Sequence, residues 1–409
     1  MTDTREQPSI VIAGGGLAGG AIALILREAL PDIAVVLCDP AGVLSADAGA
    51  LLDLRTTAFA PSTAELLSEL DVWPRLAASP TPIESIAVRD QGHAGRLNLT
   101  RTDNGGLPLG YVVANKDLAQ AMAGALRAAA ITIQSSAVTR VLPTAGGVDV
   151  HIEGAEVRRA ELAIIADGAD SRLRDGLGIG CAVHDYRQVA LIANAEFQRP
   201  HGGAALELFT RMGPLALLPL GPEDGRTRAV VWTCPKGATG RLESAAKETL
   251  MRELTRATQH RFGRCTNLGE RALYPLRRVL AQEQVRSHTV VMGNAAHLLH
   301  PVAGQGLNLT LRDGLRLAEI LRGAREAGEP LGAAEQLQRY ESAQRADQQR
   351  TLALGHGFTQ IFARRGALWG GLRALGFMAL GAQPMRREFL GQMSGRNAAA
   401  PRWRKGAAL

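Results

Sequence analysis

The sequence predicts a mixed α/β fold: a parallel sheet wound with helices, a second, mostly antiparallel sheet inserted into it, and a helical C-terminal region. Three features of the chain carry that expectation. Residues 9–38 read as strand, glycine-rich turn, helix and strand. Two later stretches, LAIIADGADSRLR (162–174) and TVVMGNAAHLLHPVAGQGLNLTLRDGLRLAEIL (289–321), again pass from an apolar strand into a polar turn. Between them lie short extended runs set apart by Gly, Pro and charge.

In chain order, SIVIA (9–13) is a buried strand: short, β-branched and bounded by a turn. LAGGAIALILREAL (17–30) is a helix whose small residues let it pack tightly on a sheet, and IAVVLC (33–38) is a second apolar strand ending at Asp39. Together they make a βαβ unit, which requires a parallel sheet. VALIANAEF (189–197), AALELFT (204–210), PLALLPL (214–220) and RAVVWTC (228–234) supply the inserted antiparallel sheet. Residues 333–364 read as helical and 396–409 as a frayed basic tail.

The composition narrows the function classes. With 46% hydrophobic and 21% charged residues, the chain reads as globular. Its four cysteines, Cys38, Cys181, Cys234 and Cys265, form no CxxC pair or Cys/His cluster, so no metal site and no disulfide framework are expected. The polar N-terminus lacks the apolar core of a signal peptide, and no run of apolar residues is long enough to span a bilayer. The net charge of +7 suits an anionic cofactor or an anionic lipid surface. Nucleic acid is not expected as a partner, because aromatics make up only 4% and no RNA-binding aromatic motif is present.

Gly14, Gly16 and Gly19 match G-x-G-x-x-G in the context that gives the motif meaning, after a strand and at a helix start. Gly14 permits the tight turn, Gly16 lets a pyrophosphate approach the backbone, and Gly19 lets the helix lie close on the strand. The helix N-terminus then offers N–H groups and a positive dipole end to the phosphates. Asp39 lies 20 residues after Gly19, at the end of the second strand, where a carboxylate accepts from ribose hydroxyls. This fingerprint alone leaves NAD and FAD both open.

Two further motifs bear on that choice. ADGADSRLR carries Asp167–Gly168 and Arg172, and GNAAHLLHPVAGQGLNLTLRD carries Asn294, His297, His300, Pro301, Gly304, Gln305, Gly306, Asn308 and Asp313. With these in order, the chain resembles the group A FAD-dependent aromatic monooxygenases of the para-hydroxybenzoate hydroxylase fold. Within them it resembles the ubiquinone-biosynthesis hydroxylases of the UbiH/UbiF/Coq type. LDLRTTAFAPSTAELLSELDVWPRL (52–76), GPLALLPL (213–220) and YPLRR (274–278) resemble the same group, so the likeness covers nearly the whole chain. One departure stands out. Where the family usually has Gly-Asp, this chain has Gly293–Asn294; the amide still accepts a ribityl hydrogen bond but carries no charge.

The resemblance implies a Rossmann-type FAD-binding domain made of residues 1–75, 111–182 and 286–350. It implies a substrate domain of 76–110 and 183–285, and a helical region with a basic tail at 351–409. The cofactor-binding set it implies is Gly14, Gly16, Gly19, Asp39, Arg55, Asn115, Asp167, Asn294, Gly304, Gln305, Gly306 and Asn308. Pro301 falls near the reactive edge of the flavin and His300 beside the substrate. Asn115 has a second reading as a helix cap with no ligand contact. The implied chemistry is monooxygenation: reduced flavin and O2 give a C4a-hydroperoxide, and a phenol ring attacks its distal oxygen. FAD is the cofactor, NAD(P)H the co-substrate, and a polyprenyl phenol the substrate. Other ubiquinone-biosynthesis proteins are the implied partners. A same-fold hydroxylase of a small soluble phenol, or a non-catalytic flavoprotein, fits the same motifs.

The stretch 357–390 mixes Phe, Trp, Leu and Met with arginines at helical spacing, which suits either an interfacial helix or a core-packing helix with a basic face. A substrate dissolved in the bilayer makes peripheral contact sensible. The expected location is the cytoplasm, at the inner face of the cytoplasmic membrane.

Overall fold

The structure, a computed structural model, describes residues 9–41, 55–77, 80–92, 96–299 and 305–363, together with 386, 390 and 391. A six-stranded sheet runs in the order Val285–Arg286, Thr289–Val291, Leu162–Ile165, Ser9–Ala13, Ala34–Cys38, Thr132–Gln134. Its neighbours are parallel except at the Val285–Arg286 edge. Alternation along Ser9–Ala13 sends Ile10 and Ile12 to one face and Val11 and Ala13 to the other. Helices Leu17–Ala29, Asn115–Ala128 and Gln305–Glu326 cover the first face. The second is covered by an antiparallel three-stranded sheet, Val138–Thr144, Gly147–Ile152 and Arg158–Ala160, through Val141, Val148 and Val150. Ile10 and Ile12 are fully buried, which stabilises the fold by roughly 1.5–3 kcal/mol each.

The second large sheet has eight strands in the order His297–Leu298, Cys265–Ala281, Cys181–Phe197, Thr227–Pro235, Pro214–Pro219, Ala204–Phe209, Ser85–Asp90, Arg96–Thr100. Every pair is antiparallel except Ala204–Phe209 with Ser85–Asp90. One face is sealed by Leu242, Leu250 and Leu254, the last two on helix Lys247–Ala257, and by Phe262. The other face turns toward the parallel-sheet half of the molecule. The predicted class, a parallel sheet with an inserted and mostly antiparallel sheet, is the one observed.

Cys181–Phe197 and Cys265–Ala281 are each 17 residues long and pair along most of their length, with breaks at Asp185/Gln188, Ala193/Ala195 and Glu196/Phe197. Pro275 is tolerated in the second because the outer neighbour pairs only with Val279 and Leu280.

Candidate active site

The glycine turn is built for two different purposes. Gly14 has φ +105°, and its amide donates to the Cys38 carbonyl at 2.8 Å. A Cβ there would lie 2.4 Å from the Ala166 carbonyl oxygen, and one at Gly19 would lie 1.8 Å from the Gly14 oxygen. Both glycines are required by the fold. Gly16 is not: its φ of −68° suits any residue, and a Cβ there meets no protein atom within 4 Å. It caps helix Leu17–Ala29 with no side-chain hydrogen bond, and the first turn holds no acidic residue. An open helix N-terminus of this kind fits a pyrophosphate. Asp39 braces the turn, since its carboxylate accepts from the amides of Gly15 at 2.7 Å and Ala41 at 2.9 Å.

The second wall comes from the two other motifs. Ser171 caps the short helix Arg172–Gly176 by accepting from the Arg174 amide at 3.0 Å. That places Arg174 inward, where its guanidinium donates to the carbonyls of Ala169 at 3.1 Å and Ala295 at 3.0 Å. The residue tying the two motif turns together is therefore Arg174; Arg172 is exposed. Asp167 is also exposed, beside this turn. Gly293 has φ +60° and would place a Cβ 3.2 Å from that of Ala18, so its turn abuts the start of helix Leu17–Ala29. Asn294, next in line, is exposed and faces the cavity described below.

Helix Gln305–Glu326 is fixed at both ends of its first half. Asn308 accepts from the Thr63 hydroxyl at 2.7 Å and the Ala60 amide at 3.3 Å, and donates to the Ala58 carbonyl at 3.1 Å. Gly314 lets the helix approach helix Leu17–Ala29, with a Cβ position 3.2 Å from Ile25 Cδ1. His297 Nε2 lies 2.6 Å from Asp313 Oδ2, and Gln348 donates to the same oxygen at 3.2 Å. His297 is 2% exposed, so it serves this internal pair and not the cavity. His300, Pro301 and Gly304 lie outside the described residues; Leu299 and Gln305 on either side of them line the cavity.

Asn115 is the first residue of helix Asn115–Ala128, and Ala114 occupies the cap position. The Asn115 side chain accepts from the Thr57 hydroxyl at 2.7 Å, and the Asn115 backbone N–H donates to the Arg55 carbonyl at 2.9 Å. The Arg55 guanidinium carbon stands 5.8 Å from the Tyr274 ring centroid.

These groups border one end of a cavity of about 440 Å³ between the two halves of the molecule. Arg55, Asn115, Asn294, Gln305, Gly306 and Asn308 all line it. The remaining lining is largely apolar: Ile86, Val88, Leu97, Leu99, Phe209 and Leu218 from the eight-stranded sheet, and Leu390 from the C-terminal region. A few convergent polar groups at one end of an apolar chamber is the usual build of a small-molecule site.

Glu207, which sequence reasoning did not single out, also lines the cavity. Burial pushes its carboxyl up from 4.5 to about 7. Between those values the folded chain holds a proton that the unfolded chain has released. Stability therefore falls as pH rises through that window. Glu207→Gln is expected to flatten this part of the curve of Tm against pH. Equal slopes for variant and wild type would mean that the carboxyl is not raised.

Fold and glycine turn together define a dinucleotide-binding protein, and a family model described as an FAD binding domain matches residues 7–353. The ubiquinone hydroxylase UbiL of Rhodospirillum rubrum is 33% identical over 387 residues, covering 93% of this chain and 88% of the relative. The 3-demethoxyubiquinol 3-hydroxylase of Escherichia coli is 31% identical over 353 residues, covering 84% and 87%. Among solved structures, p-nitrophenol 4-monooxygenase PnpA from Pseudomonas putida DLL-E4 superposes with a TM-score of 0.75 at 18% identity. It covers 96% of this chain and 99% of that one, which is a likeness of fold. The chain belongs to the ubiquinone-hydroxylase family of FAD-dependent monooxygenases.

Proposed function

We propose that this chain hydroxylates the aromatic ring of a polyprenyl phenol in ubiquinone biosynthesis, using O2 and NAD(P)H. The observation that carries the reading is the cavity: polar groups from the parallel-sheet half of the molecule, and opposite them a largely apolar sheet face that also carries Glu207. A prenylated phenol has the same division, a polar ring head and a hydrocarbon tail. Overall, ring C–H, O2, NAD(P)H and a proton give ring C–OH, water and NAD(P)+. The flavin, when bound, supplies electron transfer and oxygen activation.

The chain's own residues hold, orient and enclose. Gly14, Gly16, Gly19 and Asp39 shape the turn that takes the pyrophosphate and ribose. Arg55, Asn115, Asp167, Asn294, Gly304, Gln305, Gly306 and Asn308 form the flavin end. Asn308 acts through the backbone it fixes, because its amide is committed to Ala58, Ala60 and Thr63. By the family resemblance we assign His300 to the substrate and Pro301 to the reactive edge of the flavin. We assign 1–75, 111–182 and 286–350 to the FAD-binding domain, and 76–110 with 183–285 to the substrate domain. The test is intermediate profiling in a strain lacking the protein. An under-hydroxylated prenylated precursor is expected to accumulate; an unchanged quinone profile contradicts the assignment.

The same reading implies peripheral contact with the membrane that holds the substrate. Among the described residues no helix is long and apolar enough to cross a membrane. Of the C-terminal arginines, Arg386 is paired with Asp103 at 2.8 Å and only 24% exposed, so it is withdrawn from any lipid surface. Arg364, Arg365, Arg373, Arg387, Arg402, Arg404 and Lys405 remain, outside the described residues. Each cation near an anionic surface contributes about 1 kcal/mol, so three or four together give weak, salt-sensitive binding of about 3–4 kcal/mol. Cosedimentation with anionic vesicles is expected to drop when these seven are neutralised in FAD-loaded protein. Unchanged cosedimentation refutes the contact.

A further inference from the structure

The pairing registers place Glu207 in a single row across six strands. Val88 pairs with Leu97 and with Glu207; Glu207 pairs with Ala216, Ala216 with Val231, and Val231 with Ile192. Side chains in one such row share a face of the sheet, and all six of these residues line the cavity. Their neighbours Leu206 and Leu208 point the other way, into the core beneath helix Lys247–Ala257. Glu207 is thus the one carboxyl in an otherwise aliphatic row. Among the described residues it is also the only carboxyl lining the cavity, as Arg55 is the only cation.

The fold gives no reason for a carboxyl there. Leu or Val would continue the row, and an unpaired buried carboxylate is costly. The residues paired with it on the neighbouring strands, Val88 and Ala216, offer it no hydrogen bond. The nearby C-terminal segment bearing Leu390 brings Arg386, which is already paired with Asp103. A costly polar group facing a cavity is explained by what the cavity receives.

We propose that Glu207 meets the ring hydroxyl of the phenolic substrate, accepts its hydrogen bond, and takes its proton as the ring is hydroxylated. The inference rests on the cavity being the substrate site. As electrophilic oxygen derived from O2 bonds to a ring carbon ortho or para to the hydroxyl, the O–H bond breaks. Its proton passes to the Glu207 carboxylate, and its electron pair becomes the C=O of a dienone. Loss of the C–H proton to solvent then restores the aromatic ring. The ring oxygen recovers its proton from Glu207, and the carboxylate is regenerated. A carboxyl raised to about 7 is poised for such a shuttle near neutrality.

The test uses the full chain loaded with FAD, with 2-geranylphenol and geranylbenzene as probes. Flavin absorbance reports that Glu207→Gln and Glu207→Leu remain folded and loaded. Above about pH 7 the wild type is expected to bind the phenol about tenfold tighter than the hydrocarbon, and Glu207→Leu to bind both alike. The wild-type kcat/KM should fall on the acid side of about pH 7. Glu207→Gln should lose that limb and about a hundredfold in rate. If Glu207→Leu keeps the preference for the phenol and Glu207→Gln keeps the acid limb, the limb belongs to another group such as His300 and the inference is overturned. If the wild type itself binds neither probe, the cavity is not the substrate site, and both readings fall.

Discussion

Gly16→Val is expected to give a folded protein that does not retain FAD, while Gly19→Val gives no folded protein. At Gly16 the backbone is extended and a Cβ meets no protein atom, so valine is accommodated. What it occupies is the open space at the helix N-terminus. Losing two charge-assisted hydrogen bonds to a pyrophosphate, at roughly 1.5–3 kcal/mol each, weakens FAD binding by about 10²-fold or more. At Gly19 the same change sets a carbon 1.8 Å from the Gly14 carbonyl oxygen. That carbonyl cannot withdraw, because the Gly14 amide is bonded to Cys38 and Gly14 itself abuts Ala166. A loss above about 4–5 kcal/mol is expected, a large part of a typical total stability of 5–15 kcal/mol. Thermal melts and flavin absorbance on the two variants read both outcomes. If both variants fold and both bind FAD, the turn has been misassigned.

Asp313→Ala is expected to destabilise the protein by roughly 3–5 kcal/mol in urea unfolding. The carboxylate is fully buried and serves both His297 and Gln348. Removing it strands the His297 ring in the core, while Gln348 keeps its pairing with Gln284. Its position also matters for the site. His297 stands before residues 299–304 and Asp313 on the helix after them, so the pair clips together the two ends of the segment holding His300, Pro301 and Gly304. The double change His297→Leu with Asp313→Leu, which leaves neither member stranded, should cost less than Asp313→Ala alone. A double variant less stable than the single one would show that the pair is not what the carboxylate supports.

The glycine turn and the strands beside it were legible because each follows from a local rule. Four features were not. The first half of Cys181–Phe197 is exposed on both faces, so no alternation marks it as a strand. In Cys265–Ala281, Gly269 and Pro275 break the pattern, and the strand exists through its pairing with Cys181–Phe197. Arg172 and Arg174 look equivalent in sequence; only the cap at Ser171 turns the second inward. Glu207 was hidden for a related reason. AALELFT reads as an extended run, but which of its faces meets the cavity depends on registers across six strands, which a single sequence does not contain. Asp39 was legible in place, and the structure adds that one of its oxygens braces the glycine turn while the other accepts from the Ala41 amide.

The most direct measurement of the central claim is product mass after turnover of the FAD-loaded protein with NAD(P)H, a prenylated phenol and isotopically heavy O2. The account predicts one heavy oxygen atom in the ring of the product and one equivalent of NAD(P)H consumed for each ring hydroxylated. Reductant oxidised with all of the heavy oxygen recovered as hydrogen peroxide, and none in the ring, would contradict it.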